Sequence, residues 1–236
     1  MKNLNTGVII FSRMDSIRLP RKALLDISGR SMLGRVIDRA KRIKGVGEVV
    51  VATSSRDIDE PIASFAIAEN VGVFRGSIDD VSDRALGACD KFGFTKFVRI
   101  CGDRPFFDPM VLTRLVSMHN EFKVDITTTM FPRTYPPGLT GEVVSVQALQ
   151  NAMLKTSEVE DHEHVTSYFY KHPHEFSIRN IDAPNELDLE GLNLVVDTES
   201  DLVRARWIAS RLEESREKFY DLPEVVRLAR AWESFP

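Results

Sequence analysis

The stretch G-V-I-I-F (Gly7–Phe11) runs directly into S-R-M-D-S-I-R-L-P-R-K (Ser12–Lys22). A short apolar, β-type run thus ends in a polar loop that carries Arg13, Arg18, Arg21 and Lys22. Such a junction, repeated along a chain with helices between, is the mark of an α/β fold. Ligands in such folds bind beyond the carboxyl ends of the strands, where the strand order reverses.

The repeats are present. E-V-V-V-A-T (Glu48–Thr53), G-V-F (Gly72–Phe74) and K-F-V-R-I-C (Lys96–Cys101) read as further strands. Between them, Arg30–Ile43 has Met32, Leu33, Val36, Ile37, Ala40 and Ile43 at helical spacing. Glu60–Asn70 and Val81–Phe92 also read as helices. Asp108–Pro109 has the pattern of an N-cap with proline at the first helical position, opening a helix to about His119. Strand and helix in alternation predict a mostly parallel sheet flanked by helices on both faces. The second half is less regular. D-I-T-T-T-M-F (Asp125–Phe131), E-V-V-S-V (Glu142–Val146), F-S-I-R-N-I (Phe176–Ile181) and L-N-L-V-V-D (Leu192–Asp197) read as strands. Val146–Leu154, Asp161–Tyr170, Glu199–Leu212 and Leu222–Trp232 read as helices. With no repeat or linker visible, the chain reads as one domain over 1–236. It divides into a first half over about 7–124, a second region over about 125–190, and a return strand with C-terminal helices over 191–236.

Bulk properties narrow the class. The chain has 236 residues, 43% hydrophobic and 28% charged, with a net charge of −4. That is globular, and it lacks the basic excess of a nucleic-acid binder. Cys89 and Cys101 form no C-x-x-C pair, which fits a reducing compartment. The polar start Met1–Gly7 has no signal pattern, and no run reaches the ~20 apolar residues of a membrane span. A cytoplasmic location is expected.

Three constellations can carry chemistry. The cations of Ser12–Lys22 suit a polyphosphate, Arg by bidentate pairing and Lys as a point charge; both Arg13 and Lys22 are expected on an exposed loop. In C-G-D-R-P (Cys101–Pro105), Asp103 stands at a strand's carboxyl end. It is either a turn residue bonded to its own backbone or a ligand for Mg²⁺, which takes one or two carboxylates plus phosphate oxygens. In V-V-D-T (Val195–Thr198), Asp197 is either the cap of the next helix or the second carboxylate of that metal site. Other motifs fall short. G-V-G-E-V-V (Gly45–Val50) precedes a strand and lacks the third glycine of a dinucleotide fingerprint. No G-x-x-x-x-G-K-[ST] or G-x-S-x-G is present. D-H-E-H (Asp161–His164) and H-P-H (His172–His174) lack the spacing of a zinc site, and Asp161 and Glu163 fit the acidic first turn of a helix better.

Taken together, I-I-F-S-R-M-D-S-I-R-L-P-R-K-A-L, V-A-T (Val51–Thr53), F-R-G-S-I-D-D-V-S-D-R (Phe74–Arg84), V-R-I-C-G-D-R-P (Val98–Pro105), E-H-V-T-S-Y (Glu163–Tyr168) and V-V-D-T-E-S-D-L (Val195–Leu202) resemble the cytidylyltransferases that make CMP-activated acidic sugars. These are the CMP-Kdo and CMP-sialic acid synthetases, and the look is nearest to the spore-coat-polysaccharide (SpsF-like) branch. The blocks run in order from about Gly7 to Leu202. The resemblance implies a glycosyltransferase-A-like (Rossmann-like) fold, a homodimer, Mg²⁺ as cofactor, and CTP with a sugar or sugar-like acceptor as substrates, with about 7–124 as the nucleotide-binding half and about 125–190 as the acceptor and dimerisation region. It implies Lys22, Arg13 and Asp103 as catalytic residues, and Asp103 and Asp197 as metal ligands. The implied nucleotide contacts are Ser12, Arg13, Arg18, Arg21, Lys22, Thr53, Arg84, Arg99 and Gly102.

The chain also departs from the family pattern. Asp15, Ile17 and Arg21 replace Gly, Thr and Gly; Arg104 replaces Cys; and G-L-T-G-E-V (Gly138–Val143) lacks the Asp of G-L-D-V-E-V, near Gly141. An arginine at 21 either blocks backbone approach to phosphate or adds a phosphate ligand. Two alternatives to the sugar acceptor are a non-sugar acceptor (a phosphonate or polyol phosphate) and a catalytically silent nucleotide-binding protein. The aromatic residues between Thr127 and Ile181 (Phe131, Tyr135, Tyr168, Phe169, Tyr170) are expected at a dimer interface.

Overall fold

The computed structural model describes residues 6–214 and 221–234, so part of the lead-in Met1–Gly7 and the extreme C-terminus lie outside the described residues. In chain order the elements are β1 (Thr6–Phe11), the hairpin β2 (Asp26–Ile27) and β3 (Arg30–Ser31), α1 (Met32–Ala40), β4 (Val49–Ser54), α2 (Glu60–Ala68), β5 (Gly72–Gly76), α3 (Val81–Phe92), β6 (Lys96–Cys101) and α4 (Pro109–Phe122). There follow β7 (Ile126–Thr128), β8 (Glu142–Ser145), α5 (Val146–Met153), α6 (Val159–Glu163), α7 (Ser167–Lys171), β9 (Ile178–Asn180), α8 (Glu199–Glu214) and α9 (Leu222–Glu233).

Seven strands form one sheet in the order β5-β4-β1-β6-β8-β7-β9. β5, β4, β1 and β6 are parallel, while β8 runs antiparallel to both β6 and β7. The mostly parallel sheet expected from the sequence is therefore present. Both faces are covered, which is why β1 is apolar at successive positions and not only at alternate ones. Val8 and Ile10 enter one core with α1 and α4. Ile9 and Phe11 enter the other with α3, α5 and α7. A third cluster joins α8 and α9 to Phe106, Tyr135 and Leu194. The Asp108 cap holds, its carboxylate accepting from the Met110 amide at 2.7 Å. Among the described residues no helix is long and apolar enough to cross a membrane.

Four expectations change. The strand read at Leu192–Asp197 does not form. This segment spends its backbone donors on loops, Leu194 on the Pro137 carbonyl (2.8 Å) and Val196 on the Asp103 carbonyl (3.0 Å), so it never joins a ladder. Gly138, at φ 92°, makes that approach possible: a Cβ there would come within 2.4 Å of the Leu194 backbone. The helix read at Asp161–Tyr170 is two short helices, α6 and α7. The break follows from Asp161, whose buried carboxylate accepts from Thr156, Ser167 and Lys171 and ties the two pieces together. Burial opposes ionisation of Asp161, but those donors outweigh it and hold the pKa at about 2. The helix read over Arg30–Ile43 begins only at Met32, after β3. Finally, Tyr135, Tyr168 and Phe169 are buried within the single chain, so the aromatic argument for an interface fails for them.

The sheet also encloses charge. Arg99 on β6 donates to Glu142 on β8 at 2.7 Å, and the Tyr170 hydroxyl donates to the other Glu142 oxygen at 2.6 Å. Burial would lift the Glu142 pKa, yet Arg99 and Tyr170 prevail and keep it below the usual carboxylate range. Removing one partner of such a pair strands the other, at a cost of about 3–5 kcal/mol. Arg99→Met is therefore expected to lower stability by that amount in denaturant unfolding, and Arg99→Met with Glu142→Leu to recover most of it. Unchanged stability in Arg99→Met would contradict this role.

Candidate active site

β1 is flanked by β4 on one side and β6 on the other: the chain runs outward from β1 through β4 to β5, then crosses back to β6 beyond β1. The strand order reverses there, and the loops after Phe11 and Cys101 border a cleft of about 490 Å³. Ser12, Arg13, Arg18, Lys22, Gly102, Asp103, Asp197 and His164 all line it. The loops approach closely because residue 102 is glycine: a Cβ would lie 2.8 Å from the Ser12 hydroxyl, and the Gly102 amide donates to the Phe11 carbonyl at 2.8 Å.

The centre of the cleft is one ammonium group. Lys22 Nζ donates to Asp103 Oδ2 at 2.8 Å, Asp197 Oδ1 at 2.5 Å and the Val196 carbonyl at 3.2 Å. Arg18 donates to the second oxygen of Asp197 at 2.8 Å. Burial would lower the Lys22 pKa, but Asp103 and Asp197 more than offset it, and the pKa is raised. Lys22 is thus not on an exposed loop as expected; it begins a 3₁₀ turn and its side chain is 14% exposed. Arg13, at 51%, is exposed as expected.

Asp197 reaches this site because it does not cap α8. Thr198 and Asp201 do so reciprocally: the Asp201 amide donates to Thr198 Oγ1 and the Thr198 amide to Asp201 Oδ2, a capping box with Asp in place of Glu. The Asp197 carboxylate is left for Lys22 and Arg18. The Val196–Asp103 backbone bond brings the two acids together from distant parts of the chain.

Two oxygens within 2.8 Å of a single nitrogen fit the carboxylate pair that Mg²⁺ takes alongside phosphate oxygens. Among the described residues no three His, Cys, Asp or Glu side chains converge, so no all-protein metal cage is present.

The remaining residues expected at the site are elsewhere. Arg99 is engaged by Glu142. Thr53 is buried, its hydroxyl without a hydrogen-bond partner among the described residues. Arg84 lies behind the cleft: its guanidinium is 5.8 Å from the Phe11 ring and it donates to the Ser77 carbonyl at 2.7 Å. Burial first, then the nearby charge of Arg13, lowers its pKa. Arg21 lines a separate groove with Met14, Leu24, Asp57 and Ile58. Its φ of 58° explains the family's glycine, since this turn needs a left-handed residue. Arg21 therefore neither blocks the cleft nor lines it.

The other departures are also placed. Asp15 pairs with Arg56 at 2.7 Å and lies 3.5 Å from Arg13. It ties the cation loop to the segment after β4, as does the Met14 amide on Asp59 at 2.7 Å. The Arg56 bond holds the Asp15 pKa below the usual carboxylate range against partial burial. Arg104 and Thr140, the replacements for Cys and for the missing Asp, touch each other at 2.7 Å. His164 is not marked as a site residue by zinc-type spacing. It stands at the break between α6 and α7, where the loop turns it into the cleft, and its membership in E-H-V-T-S-Y was the signal.

The sequence matches the cytidylyltransferase family model over residues 7–227. It is 30% identical over 198 residues to the spore coat polysaccharide biosynthesis protein SpsF of Bacillus subtilis, covering 82% of this chain and 81% of that one. The fold superposes on a cytidylyltransferase from Leptospira borgpetersenii with a TM-score of 0.89 and 27% identity, over 98% and 96% of the two chains. It also superposes on CMP:2-keto-3-deoxy-manno-octonic acid synthetase complexed with CTP, with a TM-score of 0.65 and 21% identity over 89% and 99%, a likeness of fold alone. Matched by that family model along nearly its whole length, the chain belongs to the cytidylyltransferase family.

Proposed function

We propose that this is a cytoplasmic, Mg²⁺-dependent enzyme that transfers CMP from CTP to a sugar or sugar-like acceptor and releases pyrophosphate. The observation that carries the proposal is the pairing of Asp103 and Asp197 around Lys22 in a cleft that also holds Arg13 and Arg18. Those cations match a triphosphate. Asp103 and Asp197 would hold Mg²⁺, which when bound neutralises phosphate charge and so eases nucleophilic attack.

In the reaction an acceptor oxygen forms a bond to the α-phosphorus of CTP, and the bond from that phosphorus to the bridging oxygen breaks. Pyrophosphate carries away the electron pair. The chain contributes position and charge: Arg13, Arg18 and Lys22 hold the departing phosphates, and little covalent chemistry is asked of the protein. With Arg99 held by Glu142, base choice falls to backbone groups lining the cleft. His164, whose imidazole lines the same cleft, is suited to hydrogen-bond the acceptor. The name of the relative SpsF, spore coat polysaccharide biosynthesis, favours a sugar over a polyol phosphate.

Assembly as a homodimer belongs to the same reading. Its support is that Phe131, Leu154 and Val159 are exposed apolar side chains within the second half. Light scattering at micromolar concentration is expected to give twice the chain mass; a monomer would remove this part.

In calorimetric titrations with Mg²⁺, CTP is expected to bind more tightly than UTP, ATP or GTP. Preference for a purine nucleotide would overturn the cytidylyl assignment, and no nucleotide binding would overturn the enzyme. Lys22→Ala is expected to cut pyrophosphate release at least ~10-fold, about 1.4 kcal/mol of barrier. Arg13→Ala is expected to weaken CTP binding while changing stability by less than ~0.5 kcal/mol. His164→Ala is expected to leave CTP affinity within about twofold and to slow transfer to the acceptor by at least ~10-fold. Loss of CTP affinity in that variant would put His164 on the nucleotide side.

A further inference from the structure

Every oxygen that Asp197 offers is already taken, one by Lys22 at 2.5 Å and the other by Arg18 at 2.8 Å. Asp103 gives one oxygen to the same Lys22 ammonium at 2.8 Å. Two cations and two carboxylates therefore neutralise each other within the cleft. The ammonium occupies the point on which both acids converge, and a divalent ion placed there would meet repulsion from Lys22 and would have to compete with Lys22 and Arg18 for the two oxygens of Asp197.

From this, and resting on the metal reading of the site given above, we infer that Lys22 is a gate: it keeps divalent cations out of the nucleotide-free chain and surrenders Asp103 and Asp197 only when a triphosphate draws it away. Arg18 backs the gate by holding the outer oxygen of Asp197. A triphosphate supplies the negative charge that both side chains now find in the acids, so binding it releases the acids. The divalent ion and the nucleotide then bind with positive coupling, and by linkage each raises the affinity for the other by the same factor. The position of Lys22 favours this exchange. It starts a 3₁₀ turn, and its long flexible stem lets the ammonium swing without moving the backbone.

The test uses Mn²⁺ alone, without nucleotide, with the free ion read by electron paramagnetic resonance. Lys22→Met is expected to bind one Mn²⁺ at least ~10-fold more tightly than the unaltered chain, which is about 1.4 kcal/mol. The gain is expected to vanish in Lys22→Met with Asp103→Asn. Mn²⁺ is also expected to raise the melting temperature of Lys22→Met and not that of the unaltered chain. Should Lys22→Met fail to fold, Arg18→Gln, an exposed position that frees one Asp197 oxygen, is expected to gain Mn²⁺ affinity in the same direction. Equal Mn²⁺ affinity in the unaltered chain and a folded variant would overturn the gate. If CTP then still binds with Mg²⁺ dependence, the enzyme reading survives and only the gate is lost.

Discussion

The arrangement around Lys22 is the constraint on which the rest depends. An ammonium group with three donors meets two carboxylates and one carbonyl, from Asp103, Asp197 and Val196. These acceptors come from loops far apart in the chain, and like charges at this distance would repel without the cation between them. The pair is part-buried, so its interaction is screened less than a surface ion pair. Lys22 thus holds the two acids together at the centre of a cleft that Arg13 and Arg18 also line.

That geometry is built by main-chain accounting. The reversal of strand order beside β1 opens the cleft, and Gly102 lets the loop after β6 lie against Ser12. The segment before α8 then returns across the sheet edge. It is held by the Asp103 and Pro137 carbonyls and by the Thr198–Asp201 capping box, which releases Asp197 from the helix end. The cation loop is fixed from the other side, by Asp59 on the Met14 amide and by Arg56 on Asp15. Each anchor is a backbone donor or a charge that would otherwise be left unpaired.

Much of this was legible in the sequence. Apolar runs of fixed length gave the parallel strands, and the cation loop with Asp103 and Asp197 gave the cleft residues, since strand ends and charge are local properties. What could not be read depends on distant partners. Leu192–Asp197 has a strand's composition, but its donors go to loops that only the folded chain brings near. Arg99 looks like a site residue at the end of a strand, yet Glu142, 43 residues on, claims it. Arg21 looks like a phosphate ligand by composition, but its left-handed backbone turns it into another groove. His164 was hidden by its neighbours, because a Asp-His-Glu-His run invites comparison with zinc sites and not with a bend between two short helices.

The cleft around Lys22 is the proposed seat of nucleotide binding, and a crystal structure of the protein soaked with CTP and Mg²⁺ is the sharpest test of it. The triphosphate is expected against Arg13, Arg18 and Lys22, with Lys22 Nζ moved off the acids and the metal ion on Asp103 and Asp197. A nucleotide bound in another groove, with Lys22 still holding both carboxylates, would contradict it.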